Sequence, residues 1–86
     1  MKSLTLTFIQ NYLQVIDLCK AELNKDYIVH KIKNNNKVYE NYGIFENAPI
    51  VPLYRSMGKN ISAYKTYYGI FAIRNKTAEN IKVRNV

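Results

Sequence analysis

Eighty-six residues carrying a formal charge of +7, with 48% hydrophobic and 13% aromatic side chains, are enough for one domain and too few for two. The apolar content excludes a disordered segment, and the single cysteine, Cys19, excludes an intramolecular disulfide. No apolar run approaches the roughly 18 residues that span a bilayer, and Thr5, Thr7 and Gln10 interrupt the signal-like start, so a soluble, cytoplasmic protein is expected.

The first predicted element is a helix. From Phe8 to Asn24 the apolar residues Ile9, Tyr12, Ile16, Cys19 and Leu23 recur at spacings of three and four, with Phe8, Leu13 and Val15 widening the stripe. The spacing predicts an amphipathic helix over about 8–24, opened by a capping box of Thr7 and Gln10 and ending at Asn24. Leu18 falls on its polar side and is expected to be exposed, whereas Cys19 is expected to be a buried, reduced thiol. Past the helix the period changes to two: residues 26–33 alternate so that Ile28, His30 and Ile32 face inward. Asn34, Asn35 and Asn36 suit a turn, and residues 37–45 return as the second strand of a hairpin.

Residues 46–60 hold Pro49, Pro52 and Gly58, which predicts a loop or an irregular edge strand. A long strand over 61–74 comes next, with a bulge at Gly69 that would bring Phe71 and Ile73 onto the inward face of Tyr64 and Tyr68. A turn over 75–79 and a strand over 80–85 complete the chain. The expected fold class is α+β: one N-terminal amphipathic helix packed on a four- to five-stranded, mainly antiparallel sheet. It forms a single domain over 1–86, whose β-rich basic part is 26–86.

The charge is unevenly placed. Residues 1–30 are neutral overall and residues 31–86 carry all of the +7, an asymmetry that favours nucleic acid or an acidic protein surface as partner. If the helix covers one face of the sheet, alternation gives the other Lys31, Lys33, Lys65, Tyr67, Arg74, Lys82 and Arg84, with Lys37 and Lys76 at turns near its rim. Cations neutralise phosphates and a ring offers a stacking platform, so this face is the candidate site for nucleic acid or a partner. The same residues also read as a solvated lysine-rich face that discourages edge pairing. Asn, Lys, Ile and Tyr make up 39 of the 86 residues and share codons free of G and C, so base composition accounts for the number of lysines better than for their position. Tyr12, Tyr64 and Tyr68 are expected in the core; an exposed pair among Tyr39, Tyr42, Tyr54 and Tyr67 would anchor a protein interface or stack on bases.

Nothing points to catalysis. His30 is the only histidine and reads as structural, no cysteine or histidine pair suits zinc, and no glycine-rich phosphate loop or nucleophile elbow surrounds Ser3, Ser56 or Ser62. No metal site or cofactor is expected. The leading reading is a small noncatalytic basic protein that engages RNA, DNA or a nucleoprotein complex. In length, charge and lack of motifs the chain resembles small phage-encoded inhibitors of bacterial defence, including anti-CRISPR proteins, which implies inhibition of a host RNA-guided nuclease. It is also similar in size and charge to RNA endonuclease toxins of the toxin–antitoxin kind, in which cations alone can stabilise a charged transition state. A third reading is a plain protein interaction module whose surface is residues 46–60.

Overall fold

Where the spacing predicts an N-terminal helix, the described residues from 14 onward form a short strand and a 3-10 turn instead. In the computed structural model, which describes residues 14–33, 38–56, 58 and 60–86, strand β1 (Val15–Asp17) leads into one 3-10 turn (Leu18–Lys20). Residues 8–13 and the Thr7–Gln10 pair lie outside the described residues. β1 pairs antiparallel with β6 (Ile81–Asn85), setting Ile16 opposite Val83 and Asp17 opposite Lys82. β-Branched Val15 and Ile16 suit that pairing, and their partner strand is at the other end of the chain, where no local periodicity can announce it. Leu18 is fully buried rather than exposed, and Cys19 is half-buried against the core. Asn24, expected to end the helix, instead sits in a turn with a left-handed φ of 61°, and its N–H donates to the Pro52 carbonyl at 2.6 Å.

The remaining strands are β2 (Tyr27–Ile32), β3 (Pro49–Ser56), β4 (Ile61–Lys65) and β5 (Ile70–Arg74). The two short helices are α1 (Val38–Asn41) and α2 (Asn75–Ala78). All strand pairs are antiparallel, in the order β1-β6-β2-β3-β4-β5. The fold is therefore a six-stranded antiparallel sheet with helical turns, and the expected α+β arrangement of a helix on a four- to five-stranded sheet is overturned.

Three local expectations change with it. Residues 38–41 form α1, not a returning strand, so β2 pairs with β6 and β3 in place of the expected hairpin. The proline-bearing segment is the longest strand of the sheet. It uses the two places where a strand accepts proline, its first residue (Pro49) and a bulge between Pro52 and Tyr54. Gly69 lies not in a bulged long strand but at the tight turn between β4 and β5. Thr66 N–H donates to Gly69 O at 2.6 Å and Gly69 N–H to Thr66 O at 3.3 Å, enclosing Tyr67 and Tyr68 as a two-residue loop.

The sheet curls round a single core. Tyr27 and Val29 of β2, Ile50 of β3, Tyr64 of β4, Ile81 and Val83 of β6 and Leu18 are all at most 2% exposed. At one margin the 3-10 turn after β1 packs on α2, which itself lies on β5 at the other margin. Arg55, on the inward face of β3, adds a strap by donating from Nη2 to the Ala21 carbonyl at 3.1 Å. In β2 the inward residues are Tyr27 and Val29, the reverse of the expected phase. A bulge between Val29 and Lys31 ejects His30 to the surface and returns Ile32 to the core.

Candidate binding site: an aromatic hairpin tip and a separate basic pole

The β4–β5 hairpin tip is built from its connection to α1. Helix α1 ends in a Schellman arrangement: Ile44 N–H donates to Tyr39 O at 3.0 Å, Gly43 N–H donates to Glu40 O at 3.0 Å, and Gly43 holds φ +80°. The accompanying apolar contact is between Tyr39 and Ile44, both buried. The hairpin loop then closes directly over Gly43. A Cβ on that glycine would stand 2.6 Å from Tyr68 N and 2.9 Å from Thr66 Oγ1, so both the backbone angle and the space demand glycine. Thr66, 6% exposed, donates from Oγ1 to the Tyr42 carbonyl and accepts the Tyr68 N–H at 3.2 Å. The loop is thus stitched to the end of α1 through the buried Thr66 hydroxyl.

On this base stands a set of rings. Tyr67 and Tyr68 are each 62% exposed and meet edge to face at a centroid distance of 5.5 Å. Phe45 packs against Tyr67 at 5.6 Å, and Tyr42 tilts over Phe71 at 5.3 Å. Ile70, opposite Lys65 in the ladder, is 66% exposed beside them. Edge-to-face pairing fixes the ring orientations, so the tip presents a preformed apolar surface with Lys65 at its margin. Tyr67 is exposed as expected, whereas Tyr68 lies outside the core because the turn at Gly69 replaces the expected bulge.

The other expected site residues gather elsewhere. Lys31 and Lys82 are cross-strand neighbours on β2 and β6, and Lys82 forms an ion pair with Asp17 of β1. The hydrogen bond from Lys82, with added attraction from Lys82, Lys20 and Lys33, holds the Asp17 carboxyl below the usual carboxylate range. Lys82, Lys20 and Lys33 thus gather around Asp17. Arg74 and Lys76 line a cleft of about 630 Å³ with Asn60, Ile61, Asn75 and Glu79. Lys33 N–H donates to Asn80 O, which places it beside the residues that follow α2. Both cationic groups thus lie toward the α2 end, while the tip is at the far end of β5, roughly 14 Å away at the rise of a strand. Arg84 is occupied within the fold, donating from Nη2 to Asn47 Oδ1 at 2.9 Å, with Nη1 3.3 Å from His30 Nδ1. Lys37 lies outside the described residues. Rings and cations therefore form two poles, where alternation alone merges them into one face.

Among the described residues, no three His, Cys, Asp or Glu side chains gather as a metal ion would need. Burial pushes the Cys19 thiol up from its ordinary value, with the charges of Asp17 and Glu79 adding to the effect. Among the described residues, no helix is long and apolar enough to cross a membrane.

No protein-family model and no curated protein matches the chain. Solved structures do match. The iron uptake regulatory protein FeoA is 24% identical, aligned over 86% of this chain and 100% of its own, with a TM-score of 0.74. An FeoA-like protein from Clostridium acetobutylicum is 20% identical over 85% of this chain and 88% of its own, with a TM-score of 0.72. A manganese-dependent transcriptional repressor is 13% identical over 86% of this chain, with a TM-score of 0.78, and this chain spans only 43% of the repressor's length. At these identities the likeness is one of fold: the chain is built like a small FeoA-type domain and like one part of larger metal-dependent repressors.

Proposed function

We propose that this chain is a noncatalytic regulatory binding domain that docks on a partner protein through the aromatic hairpin tip. One observation carries the reading: Tyr67 and Tyr68 are mostly exposed yet fixed in place, because Thr66 and Gly43 lock their loop onto α1. Exposed tyrosines held rigid lose little entropy on binding, and tyrosine is enriched among residues that dominate interface energetics. Lys65 at the margin suits a partner surface that is apolar with a carboxylate beside it. The likeness in fold to an iron uptake regulatory protein and to part of a manganese-dependent repressor supports a regulatory role. No metal is carried over, since among the described residues no three His, Cys, Asp or Glu side chains gather.

The basic pole favours a second reading, contact with a polyanion through Lys31, Lys33 and Arg74. A capture experiment from native host extract separates the two. Wild type and a Tyr67→Ala/Tyr68→Ala variant are compared at low and high salt, with the fold of each checked by circular dichroism. The docking reading expects a protein held by wild type at both salts and released by the variant. Equal capture by both proteins rules out the tip. Retention of RNA or DNA alone, lost steeply as salt rises, replaces the docking reading with the polyanion one.

A further inference from the structure

We infer that the outer edge of β5 pairs with the β5 of a second copy, joining two sheets in one antiparallel register centred on Ala72. The argument begins with backbone parity. Thr66 and Gly69 exchange both hydrogen bonds at the turn, and Asn75 N–H donates to Asn60 O at the far end of the same ladder. Narrow and wide pairs alternate along an antiparallel ladder, so Phe71 and Ile73 direct their N–H and C=O groups to Tyr64 and Ser62 of β4. Ile70, Ala72 and Arg74 direct theirs away from β4, and among the described residues β5 has no other strand beside it.

This edge lacks the usual protection. β5 has no proline, no bulge and a single charge, Arg74, at its end. A two-fold antiparallel pair satisfies all three outward-directed residues in only one register: Ala72 opposite the partner's Ala72, and Ile70 opposite the partner's Arg74. Every such pair exchanges both of its N–H···O bonds. The charges also fit. The two Arg74 side chains stand at opposite ends of the paired strands, separated by about the length of a strand and more than a Debye length of roughly 8 Å. Each guanidinium stem lies along the partner's Ile70, which is 66% exposed in the single chain. At the centre, two small alanines let the backbones meet without a clash.

A five-residue edge is smaller than the roughly 800 Å² per partner of a standard interface, so the association is weak and concentration-dependent. Sedimentation velocity from tens of micromolar to millimolar protein reads it. Wild type is expected to shift from monomer to dimer across this range. Ala72→Lys and Ala72→Glu, at an exposed position that leaves the core untouched, place like charges directly opposite each other and are each expected to stay monomeric. Mixed in equal amounts, the two variants are expected to recover the dimer, since only a register with residue 72 facing itself pairs Lys with Glu. Amide exchange gives a second readout: protection at Ile70, Ala72 and Arg74 should rise with wild-type concentration while Phe71 and Ile73 stay unchanged. A wild type that is monomeric at millimolar concentration overturns the inference. So do variants that dimerise alone, or a mixture no better than either variant.

Discussion

Replacing Gly43 with alanine tests whether the hairpin tip is held as described. At φ +80° an alanine in left-handed backbone costs about 1–2 kcal/mol. Its Cβ would also lie 2.6 Å from Tyr68 N, a backbone atom that moves only with the whole turn. Moving the turn strains or breaks the bond from Thr66 Oγ1 to the Tyr42 carbonyl, worth about 1 kcal/mol, and leaves buried polar groups short of partners. Against this, alanine lowers the entropy of the unfolded chain and returns about 0.4–1 kcal/mol. The net expectation is a loss of about 2–3 kcal/mol, or roughly 10–20 °C in Tm for a domain of this size. Urea unfolding followed by circular dichroism measures it, and ring proton shifts of Tyr67 and Tyr68 report whether the tip has moved. Gly58→Ala is the control, because a Cβ there meets nothing within 4 Å. A Gly43→Ala protein within 0.5 kcal/mol of that control, with ring shifts unchanged, would refute the interlock (roughly the scatter of surface substitutions).

Leu18→Ala should destabilise by about 2–5 kcal/mol, because the side chain is fully buried where helical spacing would expose it; a change below about 0.5 kcal/mol in urea unfolding would restore the helical reading. Tyr64→Phe should be neutral or stabilising by up to about 1 kcal/mol, since the Tyr64 hydroxyl is buried with no hydrogen-bond partner among the described residues; a clear loss of stability would reveal one. The Asp17–Lys82 pair sets a pH dependence. The folded-state pKa of Asp17 lies below its ordinary value of 3.8, so its contribution is present in full above that value and disappears as pH falls through the lower folded value. Asp17→Asn should therefore flatten the acid limb of the stability curve below about pH 4 and leave the slope above pH 6 unchanged, as read by urea midpoints across pH.

Strand pairs between neighbouring segments were readable where pattern and partner lie close together. Lys65 outward and Tyr64 inward follow from alternation in β4, and the closing strand over 81–85 matches the expected 80–85 within a residue. The N-terminal segment was not readable, because Ile16, Cys19 and Leu23 satisfy a helical period while the residues that hold Ile16 extended, Val83 and its neighbours, come at the chain's end. In β2 the residues Tyr27, Ile28 and Val29 are all apolar, so alternation had two consistent phases and the bulge at His30 decides between them. α1 carried a signal that strand alternation obscured: Gly43 followed by Ile44, four and five residues after Tyr39, has the form of a helix stop with its apolar clasp. Of the candidate site, the exposure of Tyr67 could be seen from residues alone. That Tyr68 joins Tyr67 at an exposed tip apart from most of the cations could not, since one misplaced turn at Gly69 carries Tyr68 from core to surface.

The junction between β2 and β3 has a mechanical consequence. The ladder between the two strands is short, running where Tyr27 to Val29 meet Asn47 to Ile50, with His30 swung out at one end and a single bond from the Asn24 N–H to the Pro52 carbonyl beyond the other. The sheet is thus two three-stranded leaves sharing a narrow spine, with Arg55 as a latch from the outer leaf to the Ala21 carbonyl. Load applied to the tyrosine-bearing end travels along β4 and β5 as a lever and is resisted at that spine, so opening there is expected to expose together the Val29 and Asn47 amides, which donate across it to Ala48 O and Val29 O.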